Sequence, residues 1–156
     1  PVRLVVDSRL RISEDSHLIR HQSSSPTWVI TVENADPDKV KVLQGYNGVE
    51  VLTVASTSTG QVDLVAMAKM LGQREIQSVL VEGGSVLNQG LFAAQLIDRV
   101  MLYMAPKLLG GNDGYGLFSG QGVARLDDAL QLSDLRVTML GEDILLEGEV
   151  CTCSPD

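Results

Sequence analysis

Aromatic side chains are scarce in this sequence: one Trp, three Tyr and two Phe in 156 residues, 4% of the chain. Stacking platforms for bases are correspondingly few, which counts against a nucleic-acid binder and leaves the core to Val, Leu, Ile, Met and Ala. Basic residues are short as well. Twelve Lys and Arg stand against twenty Asp and Glu, a formal net charge of −8, so a polyanion or an anionic membrane finds too few cations to neutralise its phosphates. The two cysteines, Cys151 and Cys153, lie one residue apart near the C-terminus. A bridge between them would close a strained ring, and no neighbouring His or Cys completes a zinc set. This usage predicts free thiols, no metal centre, and a reducing compartment, the cytoplasm or an organelle stroma. No run of about 18 apolar residues occurs and no charged-then-apolar leader opens the chain, so the expectation is a soluble protein.

What is present is enough for a core. Hydrophobic residues make up 44% of the chain, and a chain of this size hides roughly 70% of the surface its unfolded form exposes; one compact domain is expected. The charge is uneven along it. Arg3, Arg9, Arg11 and Arg20 fall in the first twenty residues, whereas only Arg125 and Arg136 follow Lys107, so the basic end is where a small anionic ligand would be held. The chain opens at Pro1 directly into the apolar run Val2–Val6, which reads as a fragment of a longer chain.

Short β-type runs alternate with helical patterns. Val2–Val6, Thr27–Val32 and Val49–Val54 read as strands, the second after a turn at Ser23-Ser24-Ser25-Pro26. Asp63 caps a helix with Leu64, Val65, Ala68 and Leu71 on one face, closed by Gly72. Ile76–Val81 reads as a further strand, and after Glu82-Gly83-Gly84-Ser85 comes a helix with Val86, Leu87, Leu91 and Ala94 on one side. Val100–Ala105 is a strand stopped by Pro106; Gly110–Gly122 is a long loop with one short helix; Leu135–Leu140 and Ile144–Val150 form a hairpin through Gly141-Glu142-Asp143. The sum is an α/β fold, a mixed, mostly parallel sheet flanked by helices with a C-terminal antiparallel hairpin.

The residues that carry chemistry are Glu82-Gly83-Gly84-Ser85-Val86-Leu87-Asn88-Gln89-Gly90. Leaving a strand, paired glycines let the backbone turn tightly and approach a ligand, and the following helix offers its positive N-terminus, a geometry that suits a pyrophosphate. Neither the G-x-G-x-x-G fingerprint nor a Gly-Lys-Ser/Thr loop is present. A tight βα turn with a packing glycine at Gly90 explains the same spacing without a ligand. Glu82 stands at a strand's carboxyl end, where open α/β folds bind ligands, and Asp7-Ser8 ends an earlier strand in the same way. Lys107 is a charge near the same edge, or a solvated loop residue.

Three ordered motifs resemble one family. Arg3-Leu4-Val5-Val6-Asp7-Ser8-Arg9, Val81-Glu82-Gly83-Gly84 through Gly90, and Leu96-Ile97-Asp98 through Tyr103-Met104-Ala105-Pro106-Lys107-Leu108-Leu109-Gly110-Gly111 are similar to the C-terminal reductase domain of the bacterial and plant riboflavin-biosynthesis deaminase/reductase, a dihydrofolate-reductase-like domain. The resemblance spans nearly the whole chain. It implies NADPH as hydride donor, with Ser8, Gly83, Gly84, Ser85, Val86, Leu87, Asn88, Gln89 and Gly90 at the cofactor and Glu82 at the substrate. It implies reduction of the ribosyl group of 5-amino-6-(5-phospho-ribosylamino)uracil to a ribityl chain. No dedicated catalytic acid or base and no metal ligand follows from it; Arg9 and Arg11 are candidates for the 2′-phosphate.

The resemblance also implies a homodimer, and in many members a zinc deaminase domain upstream. Residues 1–150 match the reductase domain without the family's earlier Lys and Ser-Leu-Asp-Gly stretch, and 151–156 form a tail. Two further readings stand beside this one: a reductase of the same fold acting on another pterin or pyrimidine, and a non-catalytic dimerisation or support module. The intact Ser8, Glu82, Gly83 and Gly84 favour the enzyme readings.

Overall fold

A computed structural model describes residues 1–20, 25–108, 110 and 116–151. The Ser23-Ser24 part of the first turn, residues 111–115 of the glycine-rich stretch, Leu109 and Cys153 lie outside the described residues. The chain divides into two compact units, Pro1–Val79 and Leu80–Asp156.

In the first unit β1 (Arg3–Val6), β2 (Thr27–Val32) and β3 (Val49–Val54) form a parallel sheet in that order. The central β2 pairs on both edges, Val29 with Val5 and with Val51. Helices cover both of its faces. Ile19 of α1 (His17–Arg20) and Leu43 of α2 (Pro37–Gln44) pack with Leu10, Val29 and Val51. Met67 and Leu71 of α3 (Leu64–Gln73) pack with Ile30, Val32, Leu52 and Val54. Burial on two faces is why β2 reads as an almost unbroken apolar run instead of an alternation.

Asp63 caps α3 as its position predicts, accepting from the backbone N–H groups of Val65 and Ala66 at 2.9 and 3.0 Å. The helix does not stop at Gly72. It continues to Gln73, and Glu75 takes the left-handed conformation at φ 62°. The buried stripe is also shifted, with Met67 inside and Val65 exposed. The sequence reading missed α2, although Asp36 caps it, accepting from Asp38 and Lys39, and Pro37 stands in its first turn.

Ile76–Val81 is not a strand. Among the described residues this run pairs with no ladder, and Val79, Leu80 and Val81 are exposed. An apolar run has strand periodicity whether or not a neighbouring edge exists to pair it, and only the pairing makes it a strand.

The second unit holds α4 (Ser85–Ala93) and an antiparallel sheet of β4 (Arg99–Met104), β5 (Leu132–Leu140) and β6 (Asp143–Val150), ordered β4-β6-β5. The hairpin between β5 and β6 has two loop residues, Gly141 and Glu142, because Leu140 already pairs with Asp143. Gly141 has φ 68°, the positive value a tight hairpin demands at its first central position. The short helix expected within Gly110–Gly122 is absent from the described part of that stretch; a 3-10 turn follows it at Leu126–Asp128. On α4, Leu91 is buried and Val86 is exposed. The parallel and antiparallel strands thus form two three-stranded sheets instead of one continuous ladder.

Candidate functional site

The start of α4 differs from the starts of α2 and α3. Those two helices are closed by an aspartate carboxylate, whereas α4 has Gly84 at its N-cap and no side-chain hydrogen bond there. The first backbone N–H groups of a helix point outward along its axis without intrahelical partners, so an uncapped start is an available set of donors at the positive end of the dipole.

The two glycines before it play separate parts. A Cβ built on Gly83 would stand 2.7 Å from Cδ2 of Leu87 and 3.3 Å from its Cβ and Cγ, so the first turn of the helix occupies that room. A Cβ on Gly84 meets nothing within 4 Å. Its φ of −80° and ψ of 171° suit any residue, so neither packing nor backbone conformation within the chain calls for glycine there. Glu82 precedes this turn on exposed backbone, and Gly90 lies inside α4, its carbonyl accepting from Ala94.

The described end of the glycine-rich stretch lies along the same helix. The Asn88 side-chain amide donates to the Leu117 carbonyl at 3.0 Å, and the Gln89 amide to the Gln121 carbonyl at 3.1 Å. Between these points the Ser119 N–H donates to the Ser85 carbonyl at 3.1 Å. Phe92 and Phe118 meet edge to face with centroids 5.6 Å apart. The sequence reading grouped Asn88 and Gln89 with the cofactor turn and missed that their amides hold this loop. Nothing in the local spacing points to partners some thirty residues downstream.

In the first unit, Ser8 is a tie between β1 and a later loop: its hydroxyl accepts from the Val62 N–H at 2.9 Å and donates to Oε1 of Gln61 at 3.3 Å. Asp7 is buried and shapes the turn after β1, accepting from Ile12 at 2.8 Å and Arg9 at 3.3 Å. Arg11 leans on it at 3.5 Å with its own side chain 80% exposed. Arg9 and Lys107 are exposed. Among the described residues, no group of three or more His, Cys, Asp or Glu is arranged to hold a metal ion, and no helix is long and apolar enough to cross a membrane.

A three-stranded parallel sheet with its helices, followed in the chain by a helix and a three-stranded antiparallel sheet, is a dihydrofolate-reductase-like fold. It belongs to the RibD C-terminal domain family, whose model matches residues 1–146. The chain is 37% identical over 147 residues to the riboflavin biosynthesis protein RibD of Actinobacillus pleuropneumoniae, covering 94% of this chain and 38% of that protein. It is 33% identical over 147 residues to the 2,5-diamino-6-ribosylamino-4(3H)-pyrimidinone 5′-phosphate reductase of Methanothermobacter thermautotrophicus, covering 94% and 65%. The solved structure of Acinetobacter baumannii RibD has the same fold, with a TM-score of 0.71 at 23% identity over 97% of this chain and 38% of that one. The chain therefore spans less than two thirds of the length of each of these relatives.

Proposed function

We propose that this domain is the reductase part of a riboflavin-biosynthesis enzyme and uses NADPH to reduce 5-amino-6-(5-phospho-ribosylamino)uracil to its ribitylamino form. The observation that carries the reading is the start of α4, uncapped and preceded by a glycine whose Cβ direction is open. Family membership and the relative named as a pyrimidinone 5′-phosphate reductase support it.

The residues present fit a dinucleotide. The N–H groups at Ser85, Val86 and Leu87 suit a pyrophosphate, and the bare Gly84 leaves room for its oxygens. A nicotinamide dinucleotide held at Gly84 through Leu87 would be the source of the hydride for C1 of the open-chain ribosylamine, the carbon of its C=N bond, with a proton going to the nitrogen. The chain's own task is to bind and orient. The reading gives Ser8, Gly83 through Leu87 and Gly90 to the cofactor, Arg9 and Arg11 to its 2′-phosphate, and Glu82 to the substrate, where a carboxylate accepts hydrogen bonds from ring or ribose donors; Asn88 and Gln89 turn their amides to the loop at Leu117 and Gln121 instead. It takes the working protein as a homodimer in a reducing compartment, the cytoplasm or a plastid stroma, with a deaminase domain upstream. The 38% span of the Actinobacillus relative accords with a further domain in the working protein.

A second substrate is favoured by the Methanothermobacter relative, whose name specifies the 2,5-diamino pyrimidinone. Steady-state assays of the intact protein with NADPH and each pyrimidine, following loss of nicotinamide absorbance, separate the two. Turnover of the uracil compound is expected to predominate; turnover of neither sinks the reductase reading. Glu82→Gln is expected to leave NADPH affinity unchanged and to lower turnover at least tenfold, in the range of a lost charged hydrogen bond. Equal loss of both would move the carboxylate to the cofactor.

A further inference from the structure

The Gly116–Gly122 loop contains three glycines, and glycine leaves a backbone more freedom than any other residue. Its course nevertheless follows α4, from Ser119 on the Ser85 carbonyl to Phe118 on Phe92, and two side-chain amides fasten it on either side of Ser119. The approach is close. Gly120 has φ 138°, and a Cβ there would stand 3.3 Å from Cγ of Gln89.

The geometry points to Asn88 and Gln89 as positioning residues: their amides strap the Gly116–Gly122 loop along α4, where it forms a fixed wall beside the helix start. This deepens the NADPH reading and rests on it. The donors are on the helix and the acceptors are main-chain carbonyls, so the loop is held whatever side chains it carries. A carboxamide already donating to Leu117 or Gln121 has one N–H fewer for a ligand, which favours holding the wall over direct contact. The wall limits the volume open beside Ser85 and spares the cofactor the cost of ordering a mobile segment as it binds.

Asn88→Leu and Gln89→Met roughly keep side-chain size and do not lower helix propensity, while removing the donor. Two measurements on the intact protein test the strap: hydrogen exchange in the peptide covering 116–122 without cofactor, and KM for NADPH against kcat. Each variant is expected to speed exchange in that peptide about tenfold and to raise KM for NADPH by a similar factor, the effect of one lost hydrogen bond, with kcat at saturating NADPH nearly unchanged. Unchanged exchange overturns the strap. Raised KM with unchanged exchange also overturns it, because the amides then touch the cofactor themselves. Faster exchange with unchanged KM shows a strap that walls nothing and overturns its proposed role. Wild-type protein that binds no NADPH sinks the reductase reading instead, and does so before any variant is made.

Discussion

Substitution at Gly83 and at Gly84 separates packing from ligand room. Valine at Gly83 pushes the half-buried Leu87 side chain out of its place, a shift that costs about 1 kcal/mol, the low end of overpacking because the chain is exposed there. Leu87→Ala in the same molecule should restore part of that loss. Valine at Gly84 projects into open space and costs at most about 1 kcal/mol as a poor N-cap, yet it fills the room where phosphate oxygens would approach. The expected outcome is a Gly83→Val protein that is less stable to urea and a Gly84→Val protein of near-normal stability that no longer quenches or enhances nicotinamide fluorescence. Wild-type affinity in Gly84→Val would remove the pyrophosphate from this turn. Sequence alone shows two adjacent glycines and cannot divide the labour between them, because the division lies in where Leu87 sits. The same holds for Asn88 and Gln89, whose partners are carbonyls of a distant loop with no side-chain signature.

Among the helices, the contrast between closed and open starts is the one on which the NADPH reading rests. Asp36 and Asp63 supply a carboxylate to the first N–H groups of α2 and α3; Gly84 supplies none to α4. Asp63→Ala should therefore cost about 1 kcal/mol and leave cofactor binding intact. Gly84→Asp should do the reverse. A carboxylate at that N-cap satisfies the open donors from within the chain and repels phosphate, so stability is kept and NADPH titration becomes flat. Retained NADPH binding in Gly84→Asp would mean that these donors are not used. Caps of this kind were legible where an apolar stripe follows, as at Asp63. They were missed at Asp36-Pro37, because α2 buries Leu43 fully and half-buries Val40 within a charged stretch. The opposite error at Ile76–Val81 has the same root: periodicity reports what a segment would bury, and pairing depends on an edge that the segment does not encode.

For the molecule as a whole, the proposed NADPH is an anion that would meet an acidic chain of net charge −8, so on that reading affinity has to come from local donors and not from the overall field. Three motifs carried the family resemblance across nearly the whole chain because turn glycines and the polar residues that follow β1 are local features, readable one at a time, although Glu82 follows no strand. The arrangement into two sheets depends on long-range pairing and was not. Binding by local donors still registers globally, since a ligand that binds only the folded state stabilises it by mass action, about 2.7 kcal/mol at a hundred times its Kd. For a protein of 150 residues or more that corresponds to a rise in melting temperature of about 5–10 °C. The intact protein is expected to show this shift with NADPH, and at equal concentration a smaller one with NADH, which lacks the 2′-phosphate that Arg9 or Arg11 would meet. Replacing both arginines by Gln should bring the two shifts together while leaving the melting temperature without cofactor nearly unchanged, the side chain of Arg11 being largely solvent-exposed. Equal shifts in the wild type would discard the arginines as the source of preference. No shift with either cofactor would leave the uncapped start of α4 without a dinucleotide to bind.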